Sequence, residues 1–446
     1  MIKTVHTCYG LFCFLTKMDW SRVKSVKRRI LVLGKLAIVV LGLCVLLFAQ
    51  KEDEQMSLPD SGGERQVDEL DKLLEEQEPQ REETFGEQEL IEEGYNPPQT
   101  IQVLIQNDGY QGYYHDEVSI GCGEEEHIFP KNNSSVGKKR YLGAWENATV
   151  HSVLRADGSP VYEGVVELYE TPEGYVLVNT VDLETYVKGV LPGEMPSSYP
   201  SEALKAQAVC ARTYAAYQIE ERKKWQKDGE APGHPVWCYA DVDDSTAFQV
   251  YANRQRTKEC DAAVDATAGE IRLLNNEPEL MTYYSTSALN PMEEEAAWYR
   301  WEYENRQMSV KNLAARMTAC GIAVQQPAKL KVYKILASEI REDGRVEKLA
   351  VHTNEGIYEV CGEYNIRRVL CDGVSEVVCS DGSGYVADRL VPSAFFTIET
   401  IQNKECVVGY KLSGGGFGHG DGLSQNGAKA YAERGYSYQD ILNQYY

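Results

Sequence analysis

Residues 183–215 read LETYVKGVLPGEMPSSYPSEALKAQAVCARTYA, and the way this stretch divides into elements decides the fold. An apolar segment, Leu183–Leu191, runs into a Gly193-Glu194-Met195-Pro196 turn. From about Ser201 to Lys224, Leu204, Ala208, Ala211 and Ala215 then recur at i, i+4, i+7 and i+11, the spacing of one helical face. Working outward, Ile101–Ile105, Val161–Tyr169 and Tyr175–Asn179 are Val-, Tyr- and Thr-rich runs between Gly, Asn and Asp turns, which is a strand pattern. Further strands are expected at Ile271–Leu274, Met281–Ser285, Lys329–Leu336, Glu347–Thr353, Ile357–Val360 and Val407–Leu412, with helices near Ser309–Cys320 and Ser424–Arg434. This order predicts an α+β fold: a mixed, largely antiparallel sheet domain with packed helices, spanning residues 98–446.

Two clusters in that domain carry chemistry. On a helical wheel Lys205 and Arg212 share one flank of the apolar stripe, while Gln207 and Tyr214 share the other. One helix can thereby present two polar edges beside a single carboxylate, Glu194, although the same residues would also suit the solvated face of an amphipathic helix. The second cluster is GGGFGHGDGLSQNGA, residues 414–428, where six glycines in nine residues allow close backbone approach around a single His419. Walker and dinucleotide spacings are absent, which excludes the usual phosphate cradles.

The rest of the chain places this domain. Residues 1–50 carry a net charge of +7, residues 51–97 hold 17 acids and 4 bases, and the remainder carries −17. So acidic a body argues against a nucleic-acid partner, which demands clustered Lys and Arg. Ile30–Ala49 is apolar apart from Lys35, and at about 1.5 Å per residue it matches a hydrocarbon core about 30 Å thick. Five basic residues between Arg22 and Arg29 precede it, so a cytoplasmic leader (1–29) with an extracytoplasmic C-terminal part is expected. Leu47-Phe48-Ala49 is a poor cleavage site, which favours an uncleaved single-pass membrane anchor over a signal peptide. Met18 opens a more ordinary leader and is a candidate true start. Residues 50–97 are Glu- and Gln-rich and read as a disordered acidic tether. Nine cysteines follow it, an odd number without a C-x-x-C pair, and most are expected to be small buried hydrophobes rather than a disulfide framework.

From about Ile101 to the C-terminus the chain resembles the stage II sporulation protein D and amidase-enhancer family. The resemblance is carried by LETYVKGVLPGEMP, EALKAQAVCARTYA and the tail GGGFGHGDGLSQNGAKAYAERGYSYQDILNQYY, with weaker support from DATAGEI, TYYSTSA and IRRVL. It implies a peptidoglycan lytic transglycosylase acting on denuded glycan strands during engulfment in sporulation. Glu194 would be catalytic, with Lys205, Gln207, Arg212, Tyr214, Ser285, His419, Ser424 and Gln425 binding substrate. By the same resemblance stage II sporulation proteins P and M would be partners. A non-catalytic module that binds glycan and enhances a cell-wall amidase is the alternative, and a metal-dependent hydrolase is disfavoured by the scarcity of outer histidines. Some clostridial members of the family hold zinc through a Cys and a nearby His. Here Cys238 is present, Ala247 and Phe248 stand where the His would be sought, and His234 is the one substitute. Two side chains are thin support for zinc, so no cofactor is expected. Tyr284 also stands where the family often has His, and its Gly-Gly is missing.

Overall fold

The computed structural model describes residues 95–131, 139–228 and 238–446. The leader, the 30–49 anchor, all but the last residues of the tether, and His234 lie outside the described residues. Among the described residues no helix is long and apolar enough to cross a membrane.

The fold is α+β, built on two hydrophobic cores. The first is a seven-stranded sheet of β1 (Thr100–Ile105), β2 (Val118–Cys122), β3 (Glu125–Phe129), β4 (Arg140–Val150), β5 (Val161–Thr171), β6 (Gly174–Asp182) and β7 (Val242–Asp243). Their order is β3-β2-β4-β5-β6-β1-β7, antiparallel except for the β1–β7 pair. The near-continuous apolar run of β6 suits a central strand, and its neighbours β1 and β5 are closely buried as well.

At the end of β6 the Asp182 side chain accepts from the Thr185 N–H and starts helix α1 (Leu183–Glu194). Helix α2 (Ser201–Asp228) follows. Its inner face is mostly small: Ala203, Ala206, Ala208, Cys210, Ala211 and Ala215 are fully buried, so α1 and α3 (Lys258–Ala266) can pack close against it. Glu194 was expected in a turn; it is instead the last residue of α1. Pro192 sits in the helix's final turn, and the true connection begins at Met195, whose N–H caps Leu191.

After a short hairpin of β8 (Leu273–Leu274) and β9 (Glu277–Pro278), the expected strand at Met281–Ser285 narrows to β10 (Tyr283–Tyr284). The chain then leaves to build the second core. This holds β11 (Trp301–Asn305), α4 (Val310–Ala319), β12 (Val332–Ile340), β13 (Val346–Thr353), β14 (Gly356–Cys361), α5 (Glu363–Leu370), β15 (Glu376–Cys379), β16 (Gly384–Val386), β17 (Phe396–Asn403) and β18 (Cys406–Gly414). The strands form a five-stranded sheet, β16-β15-β11-β18-β17, and a three-stranded one, β12-β13-β14. The chain returns as β19 (Leu423–Ser424), which pairs in parallel with β10, and ends in α6 (Gln425–Glu433) and α7 (Tyr438–Leu442) against α2. The second core is therefore an insertion between two adjacent strands of the first. None of the nine described cysteines is in a disulfide.

Candidate active site

Glu194 is fixed from three directions. Its Oε1 accepts the Val250 N–H at 2.6 Å, its carboxylate accepts from the Tyr283 hydroxyl, and its backbone carbonyl accepts the Gln425 side-chain amide at 2.9 Å. The last contact satisfies a carbonyl that the end of a helix leaves without an intrahelical donor.

The Val250 N–H reaches Glu194 because the 243–252 loop is pinned at both ends. At its start buried Asp244 pairs with Arg155 at 2.6 Å, and at its end the Ala252 N–H donates to the Gly189 carbonyl at 3.2 Å. On the helix side, a Cβ on Gly193 would lie 2.9 Å from the Val250 carbonyl oxygen, so only glycine lets the loop come this near.

The Tyr283 hydroxyl ends a directed chain of donors. Tyr186 Oη donates to Gln249 Oε1 at 3.1 Å, Gln249 Nε2 donates to Tyr283 Oη at 3.0 Å, and Tyr283 donates onward to Glu194.

Burial pushes the Glu194 carboxyl up to about 7, against the smaller downward pull of the Val250 N–H and the Tyr283 hydroxyl. Among the described residues no cation contributes to its environment. Both its acid and its base form are therefore populated near neutrality, as a group that donates and then accepts one proton requires.

The glycine-rich loop is stitched to the β10 segment. Ser285 and Thr286 N–H groups donate to the Phe417 carbonyl, and Phe417 N–H donates back to Thr286. Gly418, at φ +122°, lies against Tyr284 so closely that a Cβ would fall 2.6 Å from the tyrosine's own Cβ.

The residues expected from the sequence divide by what they touch. Gln425 and the partly exposed Tyr214 lie beside Glu194; Tyr214 feels its charge. Ser285 is partly exposed, its backbone carbonyl bonded to Asn426. Lys205 is partly exposed and paired with Glu202 at 2.6 Å.

Four others are engaged by the protein itself. Arg212 is 0% exposed and its guanidinium forks onto Glu184 at 2.7 Å in both arms, with further bonds to the Val264 and Glu270 carbonyls. Gln207 is also 0% exposed, packed inside the helical layer. Ser424 is buried; its hydroxyl caps α6 through the Gly427 N–H and donates to Glu293 Oε2 at 2.7 Å. His419 has both ring nitrogens engaged: Nδ1 accepts from the Asp421 N–H, which leaves the proton on Nε2 to donate to the Tyr283 carbonyl at 2.9 Å. Burial lowers its pKa, and this partly exposed imidazole holds the Tyr283 backbone in place. As for zinc, Cys238 is exposed, and among the described residues no three His, Cys, Asp or Glu side chains gather as a metal site requires.

Sequence reasoning missed Gln249, Val250, Tyr283 and Glu293. Glu293, 2% exposed, accepts from the Ser287 N–H at 2.8 Å and from Ser424, and burial pushes it up to about 7 as well. Gln249 and Tyr283 lie in the FQVY and TYYSTSA stretches, so their motifs were visible while their roles were not.

A family model described as stage II sporulation protein (SpoIID) matches residues 171–273, and one described as a domain of unknown function matches residues 261–422. An uncharacterized protein of Brachyspira hyodysenteriae is 29% identical over 358 residues, covering 78% of this chain and 88% of the relative. Stage II sporulation protein D of Bacillus subtilis is 28% identical over 284 residues, 60% of this chain and 74% of that protein. The amidase enhancer of Bacillus subtilis is 26% identical over 303 residues, 58% of this chain but only 39% of that protein's length.

Proposed function

We propose, from the premise that the chain belongs to the SpoIID family, that it is a lytic transglycosylase cutting denuded peptidoglycan glycan strands. The observation that carries this reading is a single carboxyl, Glu194, held at a pKa of about 7 with no cation beside it. The acid form protonates the glycosidic oxygen as its bond to C1 breaks. The carboxylate then takes the proton from the muramic acid 6-hydroxyl as that oxygen bonds to C1, closing a 1,6-anhydro ring and restoring the acid. No water enters, so the second catalytic carboxylate of a hydrolase is not needed. Tyr283 and the Val250 N–H stabilise the carboxylate midway; Tyr214, Ser285, Lys205 and Gln425 are the partly exposed polar groups offered to the sugar.

In this reading the 30–49 segment anchors the protein, the domain works outside the membrane on the cell wall during engulfment, and stage II sporulation proteins P and M are its partners. Digestion of denuded strands in ¹⁸O water tests the reaction: 1,6-anhydromuramic acid ends without ¹⁸O support it, and ¹⁸O-labelled reducing ends contradict it. One observation favours a second reading, the likeness to an amidase enhancer. On that reading the protein cuts nothing and stimulates an amidase in the same assay.

A further inference from the structure

A cavity of about 660 Å³ opens between the Asp108–Tyr110 turn of the first core and helices α4 and α5 of the second, with Tyr110, Arg316, Tyr364, Arg368, Asp372 and Arg389 in its wall. Its charge runs against that of the domain, which is strongly acidic. Three arginines from three separate segments meet here, and among the described residues none of them has a carboxylate within 4.0 Å. Asp372 makes no ion pair with them; its oxygens accept from the Val374 and Ser375 N–H groups and the Ser375 hydroxyl at 2.6–2.9 Å. With Asp388, exposed like Arg389, it leaves the wall one positive charge in excess, three arginines against two acids.

One donor in the same wall is buried and without a hydrogen-bond partner: Arg316 Nη2. It cannot easily turn away, because Arg316 Nε donates to the Val369 carbonyl at 2.8 Å. A buried donor without an acceptor is costly, and an oxyanion beside Arg316 would satisfy it. Tyr110 turns its hydroxyl toward Arg155, Asp243 and Asp244 instead. Tyr364, 53% exposed, adds an aromatic surface suited to a sugar and of little use to an acyclic phosphodiester chain.

We propose that this cavity binds the lactyl carboxylate of a muramic acid residue on a stretch of glycan strand away from the bond cut at Glu194. Arg316 donates to the carboxylate, Arg368 and Arg389 supply charge, and Tyr364 receives the sugar ring. The proposal rests on the glycan-strand reading above and extends it: denuded strands carry a carboxylate on every second sugar, and this cavity gathers guanidinium groups in an otherwise acidic domain.

Binding, not cutting, is the test, made in a full-length Glu194→Gln background with denuded strands. Arg368→Gln with Arg389→Gln should raise Kd about tenfold, as the loss of two partly exposed charge-assisted pairs allows. Strands whose carboxyls have been reduced to alcohols should lose a similar factor on the protein with all three arginines, a comparison that does not depend on any variant's folding. The two losses should not add. Equal affinity for intact and reduced strands, or losses that add in full, overturns the proposal. So does tighter binding of poly(glycerol phosphate) than of denuded glycan. If the wild type cuts nothing while the arginine-dependent carboxylate preference persists, the enzyme reading fails and the cavity's assignment stands.

Discussion

Gln425 donates its side-chain amide to the backbone carbonyl of Glu194 across 231 residues of sequence, at 2.9 Å. This bond ties the start of α6 to the end of α1, so the glycine-rich tail and the helix that carries Glu194 form one site although the entire second core lies between them. Gln425→Ala leaves that carbonyl without its donor and frees the helix end. We expect glycan cleavage to fall about tenfold or more, in line with the sensitivity of catalysis to small misplacements. Melting temperature should change little, which separates positioning from folding in a paired rate and thermal-shift measurement.

Gly193→Ala should be severe for its size. The added methyl would meet the Val250 carbonyl at 2.9 Å and the Val250 side chain at 3.1 Å, so the loop that supplies the N–H to Glu194 must retreat. Overpacking of this kind costs roughly 1–3 kcal/mol. Chemical denaturation should register that loss, and activity should fall further than stability.

Arg212→Met should unfold the protein more readily, whereas a residue that only bound sugar would leave stability intact. Removal strands Glu184, which keeps a third of its side chain exposed. The expected cost is therefore about 2 kcal/mol, below the range for a fully buried pair. Unchanged stability with weakened glycan binding would return Arg212 to the substrate surface.

Tyr283→Phe removes a hydrogen bond that favours the Glu194 carboxylate, so the Glu194 pKa should rise above its present value of about 7. In the pH–rate profile of strand cleavage the corresponding inflection should move to higher pH. A profile that stays in place would mean that Tyr283 does not act on Glu194.

Glu293 gives stability its own pH signature. Its folded pKa of about 7 exceeds the ordinary 4.5, so between those values the folded chain holds a proton that the unfolded chain has released. Stability from this group is full below about 4.5 and is lost as pH rises through 7. Glu293→Gln, permanently neutral, should lose less stability than the wild type between pH 5 and 7.5 in parallel urea titrations.

Much of this was legible in the sequence, and the misses share a cause. The i, i+4, i+7, i+11 pattern of Leu204, Ala208, Ala211 and Ala215 gave helix α2, and the Val-, Tyr- and Thr-rich runs between turns gave β5 and β6. Gly193-Glu194 and the 414–425 loop marked the site. The polar flanks of α2 misled because helical position alone does not say which face a neighbour covers. Arg212 and Gln207 are buried by elements from elsewhere, Arg212 by Glu184, 28 residues earlier, and by the carbonyls of Val264 and Glu270. Val250 contributes only a backbone N–H, which no side-chain pattern reports. The two-core layout was equally hidden, because β10 and β19 are two residues each and pair across the whole insertion between them.

The most direct test is turnover of denuded glycan strands by Glu194→Gln alongside its strand affinity. The amide keeps the shape of the carboxyl and an acceptor for the Val250 N–H, but it has no transferable proton. We predict a fall in turnover of about 10²–10⁴-fold with affinity nearly unchanged. Strand cleavage at the wild-type rate by Glu194→Gln would contradict the assignment of Glu194 as the acid and base.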